Sequence, residues 1–245
     1  MNGKENDILR TWAHNSGLEL SAHQVQLFEI YLDELWQWNR HVNLTGLSSR
    51  QDVIKELLLD SLIPCPFLPE EGSLLDVGSG AGFPAIPIKI CKPHLKTHLV
   101  EANSKKVNFL KQVVRLTKLS NIIVIRGRIE QDGGILNPKG YHIITARALA
   151  QLHKTLTWCA PHLMPGGLII NFQGSRFEEA LKESSEVIKK HQIFLYKTIP
   201  YNLPGKTSSR HILIFKKNCI SSSQFQNVQF RSLRLSTQGQ GRRKF

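Results

Sequence analysis

The chain of 245 residues is long enough to bury a sizeable core, as one large domain or as one domain with an extension. Its hydrophobic residues, 41% of the total, form no apolar run of the ~18 residues that a membrane span needs, and the N-terminal segment MNGKENDILR lacks a secretory pattern, so we expect a soluble, cytoplasmic protein. The net charge of +13 leaves two interpretations open: a polyanionic partner, nucleic acid first, or a basic protein that its lysines merely solvate.

The first 70 residues are predicted to form an all-helical extension. Helices are expected over residues 4–16, 22–41 and 50–60, and Ser21 is placed to cap the second of them. Apolar residues in that second helix recur at steps of three and four, which predicts a single buried stripe. They are Val25, Phe28, Leu32, Leu35 and Trp36.

From residue 73 the pattern alternates between strands and helices, which predicts an α/β fold with a mostly parallel sheet. Seven strands are predicted, at residues 73–77, 97–100, 122–125, 142–145, 167–172, 193–199 and 211–215. Helices are predicted between them at residues 84–92, 104–119, 148–163 and 177–190. The last two strands have no helix between them, so we expect an antiparallel hairpin at the end of the sheet.

The charge is distributed unevenly along these segments. Residues 1–70 contain 5 basic and 10 acidic residues, whereas residues 71–215 contain 20 and 9. Residues 216–245 contain 7 basic residues and no acidic residue. Residues 218–245 are also rich in Ser, Gln and Arg, which predicts a mobile basic tail. We therefore divide the chain into a helical extension (1–70), a catalytic domain (71–217) and a tail (218–245).

The four cysteines are Cys65, Cys91, Cys159 and Cys219. They form no CxxC pair, and no pair of histidines stands at metal-ligand spacing. We therefore expect reduced thiols and no metal site.

A glycine-rich turn follows the first predicted strand, in the sequence Asp76-Val77-Gly78-Ser79-Gly80-Ala81-Gly82. Glycines permit positive φ angles and let a ligand approach the backbone closely, and a ligand here would lie beyond the carboxyl ends of the strands. Glu101 ends the second strand, where its carboxylate could accept hydrogen bonds from both hydroxyls of a ribose. These features fit either a nicotinamide dinucleotide or S-adenosylmethionine.

The glycine spacing distinguishes these two cofactors. A dinucleotide loop reads GxGxxG, but Phe83 occupies the position of the third glycine, and the loop reads GxGxG. Asp76 adds a negative charge that would repel a pyrophosphate but suits the sulfonium and ammonium groups of S-adenosylmethionine. We therefore predict an S-adenosylmethionine site in a Rossmann-like class I methyltransferase fold.

The end of the fourth strand bears on the methyl acceptor. It reads Thr145-Ala146-Arg147-Ala148, without the Asn/Asp-Pro-Pro-aromatic pattern of amino-group enzymes or the Pro-Cys nucleophile of cytosine-C5 enzymes. A target with a free lone pair, such as guanine N7, needs no base or covalent step, so catalysis would be mostly alignment and electrostatics. Arg147 could donate to guanine O6 or to a phosphate, or it could be an ordinary arginine in an ion pair.

Several blocks, taken in order and spacing over residues 20–216, resemble one family: the bacterial small-subunit rRNA guanine-N7 methyltransferases of the RsmG (GidB) type. The blocks are Trp38-Asn39-Arg40-His41-Val42-Asn43-Leu44-Thr45, Leu59-Asp60-Ser61, Asp76-Val77-Gly78-Ser79-Gly80-Ala81-Gly82-Phe83-Pro84 with Pro87, Lys105-Lys106-Val107-Asn108-Phe109-Leu110, Arg128-Ile129-Glu130, Thr145-Ala146-Arg147-Ala148 and Arg210-His211. The resemblance implies methyl transfer from S-adenosylmethionine to N7 of one guanine in the decoding-region loop of 16S rRNA. It implies 16S rRNA or the small ribosomal subunit as partner, with no membrane and no stable protein partner.

The resemblance also assigns roles by position. The cofactor residues would be Gly78, Gly80 and Phe83 in the loop, Glu101 at the ribose, Ile129 and Glu130 at the adenine, and Arg147 between cofactor and RNA as the catalytic residue. Contacts to RNA would come from Asn39, Arg40, Asn43 and Arg210, with Thr45 in the same block. For Asn43 and Thr45, an alternative role is to hold the extension onto the catalytic domain.

Two positions depart from the family pattern, and each lacks a basic residue. Leu57 stands where a His is common, three residues before Asp60, and Gln173 stands where a Lys is common. These departures keep open a non-catalytic RNA-binding protein, beside a methyltransferase with another substrate. A nicotinamide dehydrogenase is a third alternative, which Phe83 disfavours.

Overall fold

The computed structural model describes residues 3–132, 136–205 and 209–219. In this part of the chain, seven strands form one sheet in the order β3-β2-β1-β4-β5-β7-β6. The strands are β1 (Gly72–Val77), β2 (Leu95–Glu101), β3 (Ile122–Arg126), β4 (Tyr141–Arg147), β5 (Leu163–Gln173), β6 (Ile193–Tyr201) and β7 (Arg210–Lys217). The first five run parallel, and β7 is antiparallel to both β5 and β6. The predicted α/β class and the terminal antiparallel hairpin are confirmed.

Helices cover both faces of the sheet, because successive strand residues point to opposite sides. Leu74 and Ile143 enter the core shared with the extension, whereas their neighbours Leu75 and Ile144 enter a second core on the opposite face. The helices are α1 (Gly3–Asn15), α2 (Ala22–Asn39), α3 (Arg50–Val53), α4 (Leu59–Leu62), α5 (Ala85–Cys91), α6 (Ser104–Thr117), α7 (Ile129–Asp132), α8 (Leu152–Cys159), α9 (Phe177–Glu183) and α10 (Ser185–Lys190). None of the described helices is long and apolar enough to cross a membrane.

The helical extension packs directly on the sheet. Helix α2 begins with a capping box, in which the Ser21 hydroxyl accepts from the Gln24 backbone N–H and the Gln24 side chain accepts from the Ser21 N–H. This confirms Ser21 as the N-cap. The same helix buries Tyr31, whose hydroxyl donates to the carbonyl of Ala81 at 2.6 Å. The extension is thus bonded to the glycine-rich loop itself.

The third predicted helix, over residues 50–60, has a π-helical turn in its middle. Helix α3 leads into the π-helical segment Ile54–Leu58, in which the Leu59 N–H donates to the carbonyl of Ile54, and α4 follows. An i→i+5 turn accommodates an extra residue, and such turns occur often at functional sites. Residues of this segment contact the end of β4, as described below.

Two predicted helices differ from the structure, and one short helix was missed. The helix predicted over 148–163 begins only at Leu152, because β4 continues to Arg147 and Ala148 adopts a left-handed φ of 47°. The helix predicted over 177–190 is divided at Ser184 into α9 and α10. The short helix α7 was not predicted. The predicted tail lies, from residue 220 onward, outside the described residues, and the proposed division into three segments stays a prediction.

Candidate active site

The glycine-rich loop after β1 needs glycine for two different reasons. Gly78 and Gly82 have φ angles of 71° and 94°, in the left-handed region where side chains are strained. A Cβ on Gly78 would lie 2.7 Å from Cδ1 of Leu149, and one on Gly82 would lie 2.7 Å from Cγ1 of Ile86. The loop is therefore packed tightly on both sides and leaves its backbone exposed to a neighbouring cavity.

This cavity has a volume of about 470 Å³ and lies beyond the carboxyl ends of β1, β2 and β3. Its size falls within the range of small-molecule sites in proteins. The wall combines backbone, carboxylate and apolar groups: Val77, Gly78, Val100, Glu101, Ala102, Asn103, Gly127, Arg128, Ile129, Glu130, Ala148, Leu149 and Trp158. Four predicted cofactor residues thus line one cavity, namely Gly78, Glu101, Ile129 and Glu130.

Glu101 is held rigidly in this wall, with 9% of its surface exposed. One carboxylate oxygen accepts from the Gly80 N–H at 2.8 Å, and the other accepts from the Asn103 N–H at 2.8 Å. Asn103 in turn caps α6 by accepting from the backbone N–H groups of Lys105 and Lys106. Because an ionised carboxylate can accept about four hydrogen bonds, Glu101 keeps capacity to bind hydroxyl groups in the cavity.

The opposite part of the wall is partly apolar. Ile129 is buried at the start of α7, and Glu130 is exposed and pairs with Arg128 at 3.7 Å. Leu149 and Trp158 complete this part of the cavity. Neither residue was predicted. Leu149 lies in a segment that was predicted as helix, and no spacing signal marks Trp158.

The other predicted cofactor residues lie outside the cavity wall. Gly80 takes part only through its N–H to Glu101, as a member of the loop. The ring of Phe83 is buried and packs against Tyr31 with ring centroids 5.2 Å apart, in the core between loop and extension. Arg147 is directed toward the extension, as described below. Phe83 therefore packs on the side of the loop that faces the extension.

Asp76, the acid before the loop, is also outside the cavity wall and has 1% of its surface exposed. One carboxylate oxygen accepts from the Thr145 hydroxyl at 2.6 Å, and among the described residues the other has no hydrogen-bond partner. Burial raises the pKa of Asp76 from 3.8 to about 7, although the hydrogen bond from Thr145 and the nearby Ser79 hydroxyl, which donates to the Asp76 backbone carbonyl, oppose that shift. Asp76 therefore does not face the ligand as the sequence predicted, and Glu101 is the buried carboxylate that lines the cavity.

Arg147, at the end of β4, contacts the π-helical turn of the extension. It pairs with the Asp60 carboxylate at 3.0 Å and donates to the backbone carbonyl of Glu56 at 2.8 Å. Its guanidinium also lies 5.7 Å from the ring centroid of Phe172. Of the two roles left open by the sequence, the ion pair is present, although Arg147 stands at a strand end and not at a helix start.

The Asp60 carboxylate is also contacted by donors from the last two strands. Arg210 pairs with Asp60 at 3.4 Å and with the Glu56 carboxylate at 3.1 Å. The Tyr201 hydroxyl donates to Asp60, and the pKa of Tyr201 is raised by burial and by the negative charge of Asp60. We call these four residues, together with Arg147, the Asp60 network. Asp60 has 1% of its surface exposed, so this network is a largely buried junction between the extension and the sheet.

The block that contains Asn39 forms a closed loop within the extension. The Asn39 side chain accepts from the Leu44 and Thr45 N–H groups, both at 2.9 Å, and donates to the Thr45 carbonyl at 3.1 Å. Arg40 and Asn43 are exposed. The contacts of Asn39 and Thr45 are thus local, and of the four RNA-binding candidates in this block, Arg40 and Asn43 are the exposed ones.

The two departures from the family pattern lie near this junction. The Leu57 carbonyl accepts from the Ser61 hydroxyl at 2.5 Å and from Arg147 at 3.5 Å. The Gln173 amide donates to Asn171 at 2.5 Å, and Asn171 donates to the Ala146 carbonyl at 3.3 Å. Gln173 is therefore bonded back to the end of β4.

Solved structures with the same architecture define the class of this fold. TYW2 from M. jannaschii, in complex with AdoMet, has 17% identity and a TM-score of 0.54, covering 70% of this chain and 77% of its own. TYW2 from P. horikoshii, in complex with MeSAdo, has 11% identity and a TM-score of 0.54, covering 67% and 63%. At these identities the likeness concerns the fold alone, which is the Rossmann-like methyltransferase fold.

The chain belongs to the GidB family, described as rRNA small subunit methyltransferase G, whose family model matches residues 24–213. A ribosomal RNA small subunit methyltransferase G from Lachnoclostridium phytofermentans is 32% identical over 217 residues, covering 87% of this chain and 90% of the relative. Another with the same name, from Aster yellows witches'-broom phytoplasma, is 36% identical over 200 residues, covering 81% and 94%. The family resemblance found in the sequence is confirmed.

Proposed function

We propose that this protein transfers a methyl group from S-adenosylmethionine to N7 of a guanine in 16S rRNA. The observation that carries the proposal is Glu101, fixed by two backbone N–H groups in the wall of a 470 Å³ cavity beside the glycine-rich loop. Membership of the GidB family supports the same reaction. The proposed partner is 16S rRNA or the assembled small subunit, and the proposed location is the cytoplasm.

The residues of the cavity fit this cofactor. Glu101 would accept hydrogen bonds from the ribose hydroxyls, and the apolar surfaces of Ile129, Leu149 and Trp158 would contact the adenine. Gly78 lines the cavity with backbone alone, which lets a ligand approach closely. S-adenosylmethionine supplies an electrophilic methyl group when bound. The chain itself supplies orientation and a partly enclosed site.

The cavity wall agrees with a target that brings its own nucleophile. Among the described lining residues there is no Cys or His to act as nucleophile or general base. Guanine N7 has an available lone pair, so alignment and electrostatics would be the main contributions of the protein. This argument favours N7 over a pyrimidine carbon, whose methylation needs covalent activation.

We assign Arg147 and Arg210 to the RNA. Arg147 directly precedes Ala148, which lines the cavity, and both arginines are held at the carboxyl edge of the sheet by Asp60 and Glu56. The pairing fixes their positions while leaving part of each side chain exposed, at 16% for Arg147 and 25% for Arg210. Arg147 would donate to the target guanine and Arg210 to a phosphate. Arg40 and Asn43 are the exposed polar groups we assign to nearby RNA.

The test uses methyl-labelled S-adenosylmethionine and small subunits from a strain that lacks the enzyme, followed by mapping of the modified nucleotide. We expect label at one guanine N7. Free 16S rRNA as a second substrate tells whether the particle is required. Label on a pyrimidine or on an exocyclic amine would contradict the proposed mechanism.

A second candidate function is RNA binding without turnover. It rests on Leu57 and Gln173, which stand where the family commonly has basic residues, and on the bond that ties Gln173 back to Asn171. Cofactor binding together with particle binding, but without any transfer, would favour this candidate. Transfer in the labelling experiment would exclude it.

A further inference from the structure

Exposed aromatic side chains are concentrated at one place, far from the cofactor cavity. Among the described residues, five large apolar side chains are strongly exposed. Three of them are aromatic and lie together: Phe67 (41% exposed), Phe194 (42%) and Tyr196 (58%). Leu195 (38%) is also on β6, but alternation along the strand directs it to the opposite face from Phe194. The fifth, Ile123 (55%), lies on β3 at the opposite edge of the sheet. Such clustering marks an interaction site more often than scattered exposed residues do.

The cluster is centred on β6, the outer strand next to β7. Phe194 pairs with Lys216 of β7, and Lys216 pairs with Leu168, the first residue of β5 that pairs with β7. Gln173, at the carboxyl edge, pairs with His211. Five residues of strand separate the two places, about 17 Å at ~3.3 Å per residue. The cluster is therefore at the end of the sheet opposite the cofactor cavity.

Lysines accompany these aromatic rings. Lys197 lies 3.9 Å from the ring centroid of Phe67, and Lys216 lies 5.3 Å from that of Tyr196. A register shift between Leu195 and Lys197 accommodates Tyr196, whose ring stands edge-on to that of Phe194 with centroids 6.5 Å apart. We call Phe67, Phe194, Tyr196, Lys197 and Lys216 the aromatic–lysine patch.

The charge around the patch suits a polyanion. Lys197 and Lys216 lie at the rings, and strands β6 and β7 contain no acidic residue. The other two basic residues of these strands are engaged elsewhere, Arg210 with Asp60 and Glu56 and Lys217 with the carbonyls of Ala160 and Leu163. Aromatic rings among cations form the usual surface for unpaired nucleotides, because bases stack on the rings while the lysines meet the phosphates. A contact with a second copy of this chain would place the same lysines against each other across a two-fold axis, and the register shift in β6 disfavours pairing of sheet edges.

We propose that the aromatic–lysine patch binds unpaired nucleotides of the rRNA substrate, at a second contact remote from the methyl acceptor. The identity of the RNA rests on the proposed function, whereas the patch itself rests on its rings and lysines. A remote contact of this kind holds the substrate equally before and during methyl transfer. It therefore lowers KM for the particle and leaves kcat unchanged.

The experiment compares the full-length protein with the double variant Phe194→Ala plus Tyr196→Ala, using small subunits as substrate. We expect KM to rise roughly tenfold, as for the loss of one stacked base, with kcat and cofactor affinity unchanged. Ile123→Ala is the matched control, because it removes an equally exposed apolar side chain from the other edge, and its KM should stay at the wild-type value. Because both positions are exposed, the double variant should fold like the wild type, and thermal unfolding checks this.

The lysines and the oligomeric state provide the second and third measurements. Lys197→Ala with Lys216→Ala should make the slope of log affinity against log salt shallower by about 1.4, because each lysine would neutralise one phosphate of a single strand. An unchanged KM in the aromatic double variant would overturn the proposal. So would a shift from dimer to monomer in sedimentation with unchanged particle affinity, since the patch would then join two copies of the chain.

The two proposals fail in different ways. If wild-type protein transfers methyl groups and the double variant has the same KM, the patch proposal fails and the proposed function stands. If wild-type protein transfers none, equilibrium binding of small subunits replaces KM as the readout. Weaker binding by the double variant, but not by Ile123→Ala, would then support the patch while the proposed function fails.

Discussion

The cofactor cavity and the Asp60 network lie at the same edge of the sheet, but different kinds of contact hold them. In the cavity, Glu101 is fixed by backbone N–H groups of Gly80 and Asn103, which are 21 and 2 residues away in sequence. In the network, Asp60 contacts Arg210 and Tyr201, which are 150 and 141 residues away. The bonds that fix Glu101 lie within one βαβ segment and the helix cap that follows it, whereas the network exists only when extension and sheet have packed together.

This difference predicts separable effects of substitution. A change in the cavity should alter cofactor affinity while the fold remains, because its partners are backbone groups of a packed loop. A change in the network should alter stability and turnover together, because it leaves charged groups unpaired at a buried junction. The following variants test that separation, beginning with the largest expected effect.

Asp60→Asn should produce the largest loss. Removing one partner of a buried ion pair costs about 3–5 kcal/mol, and here both Arg147 and Arg210 lose their shared carboxylate. We expect the free energy of unfolding to fall by that amount and kcat to fall, with cofactor affinity nearly unchanged. Urea unfolding, methyl transfer and calorimetric titration measure the three quantities.

Asp33→Asn is the matched control for this variant. It breaks another Asp–Arg pair of the extension, between Asp33 and Arg50. The Asp33 side chain in this pair is half exposed. An exposed pair contributes about 0–1 kcal/mol, so this control should unfold almost like the wild type. Equal losses in both variants would mean that the Asp60 network has no special role.

The buried carboxylate of Asp76, of which one oxygen accepts from Thr145, makes stability depend on pH. Its pKa is raised from 3.8 to about 7, chiefly by burial, so the folded state binds the proton more tightly than the unfolded state does. Stability from this group is complete below pH 4 and is lost as the pH rises through 7. The two pKa values correspond to a loss of up to about 4 kcal/mol.

Asp76→Asn should remove this dependence. The asparagine keeps an acceptor for the Thr145 hydroxyl but cannot ionise, so the variant should gain stability over the wild type between pH 5 and about 8. Urea unfolding at both pH values gives the comparison. A wild-type protein with the same stability at both, or a variant with an unaltered pH profile, would contradict the assignment to Asp76.

Glu101→Ala should mainly weaken cofactor binding. Hydrogen bonds to a charged group contribute about 1.5–3 kcal/mol, so we expect the Kd for S-adenosylmethionine to rise by about 10- to 100-fold. Glu178→Ala, which removes an exposed carboxylate of α9 outside the cavity, is the control. Unchanged cofactor affinity in the first variant would remove Glu101 from its proposed role at the ribose.

The same contrast explains what could be predicted from the sequence. The glycine-rich loop, Glu101 and the positions of the strands along the chain follow from local pattern, because hydrophobic periodicity and turn residues act over short distances. The position of Arg147 does not, since it depends on a π-helical turn that starts 93 residues earlier in the chain and on a left-handed Ala148. Phe83 was placed at the cofactor by its position in the family pattern, but its ring is buried against Tyr31 because the extension covers that side of the loop.

Tyr31 connects the extension to the glycine-rich loop, and Tyr31→Phe should have the smallest effect. The substitution removes the hydroxyl that donates to the Ala81 carbonyl, which leaves a buried acceptor without its partner at a cost of about 1–2 kcal/mol. Because this bond anchors the glycine-rich loop to the extension, we expect cofactor affinity to fall a few-fold as well.

Tyr141→Phe separates the two effects of that change. Tyr141 is also fully buried, and its hydroxyl contacts His98 at 2.7 Å and accepts from the Asn137 N–H at 3.2 Å, away from the loop. It should lose similar stability in thermal unfolding while binding S-adenosylmethionine like the wild type. If both tyrosine variants bind the cofactor equally well, the extension stabilises the fold without shaping the cofactor loop. If only Tyr31→Phe binds more weakly, the cavity depends on the extension, and its contacts are not confined to one βαβ segment.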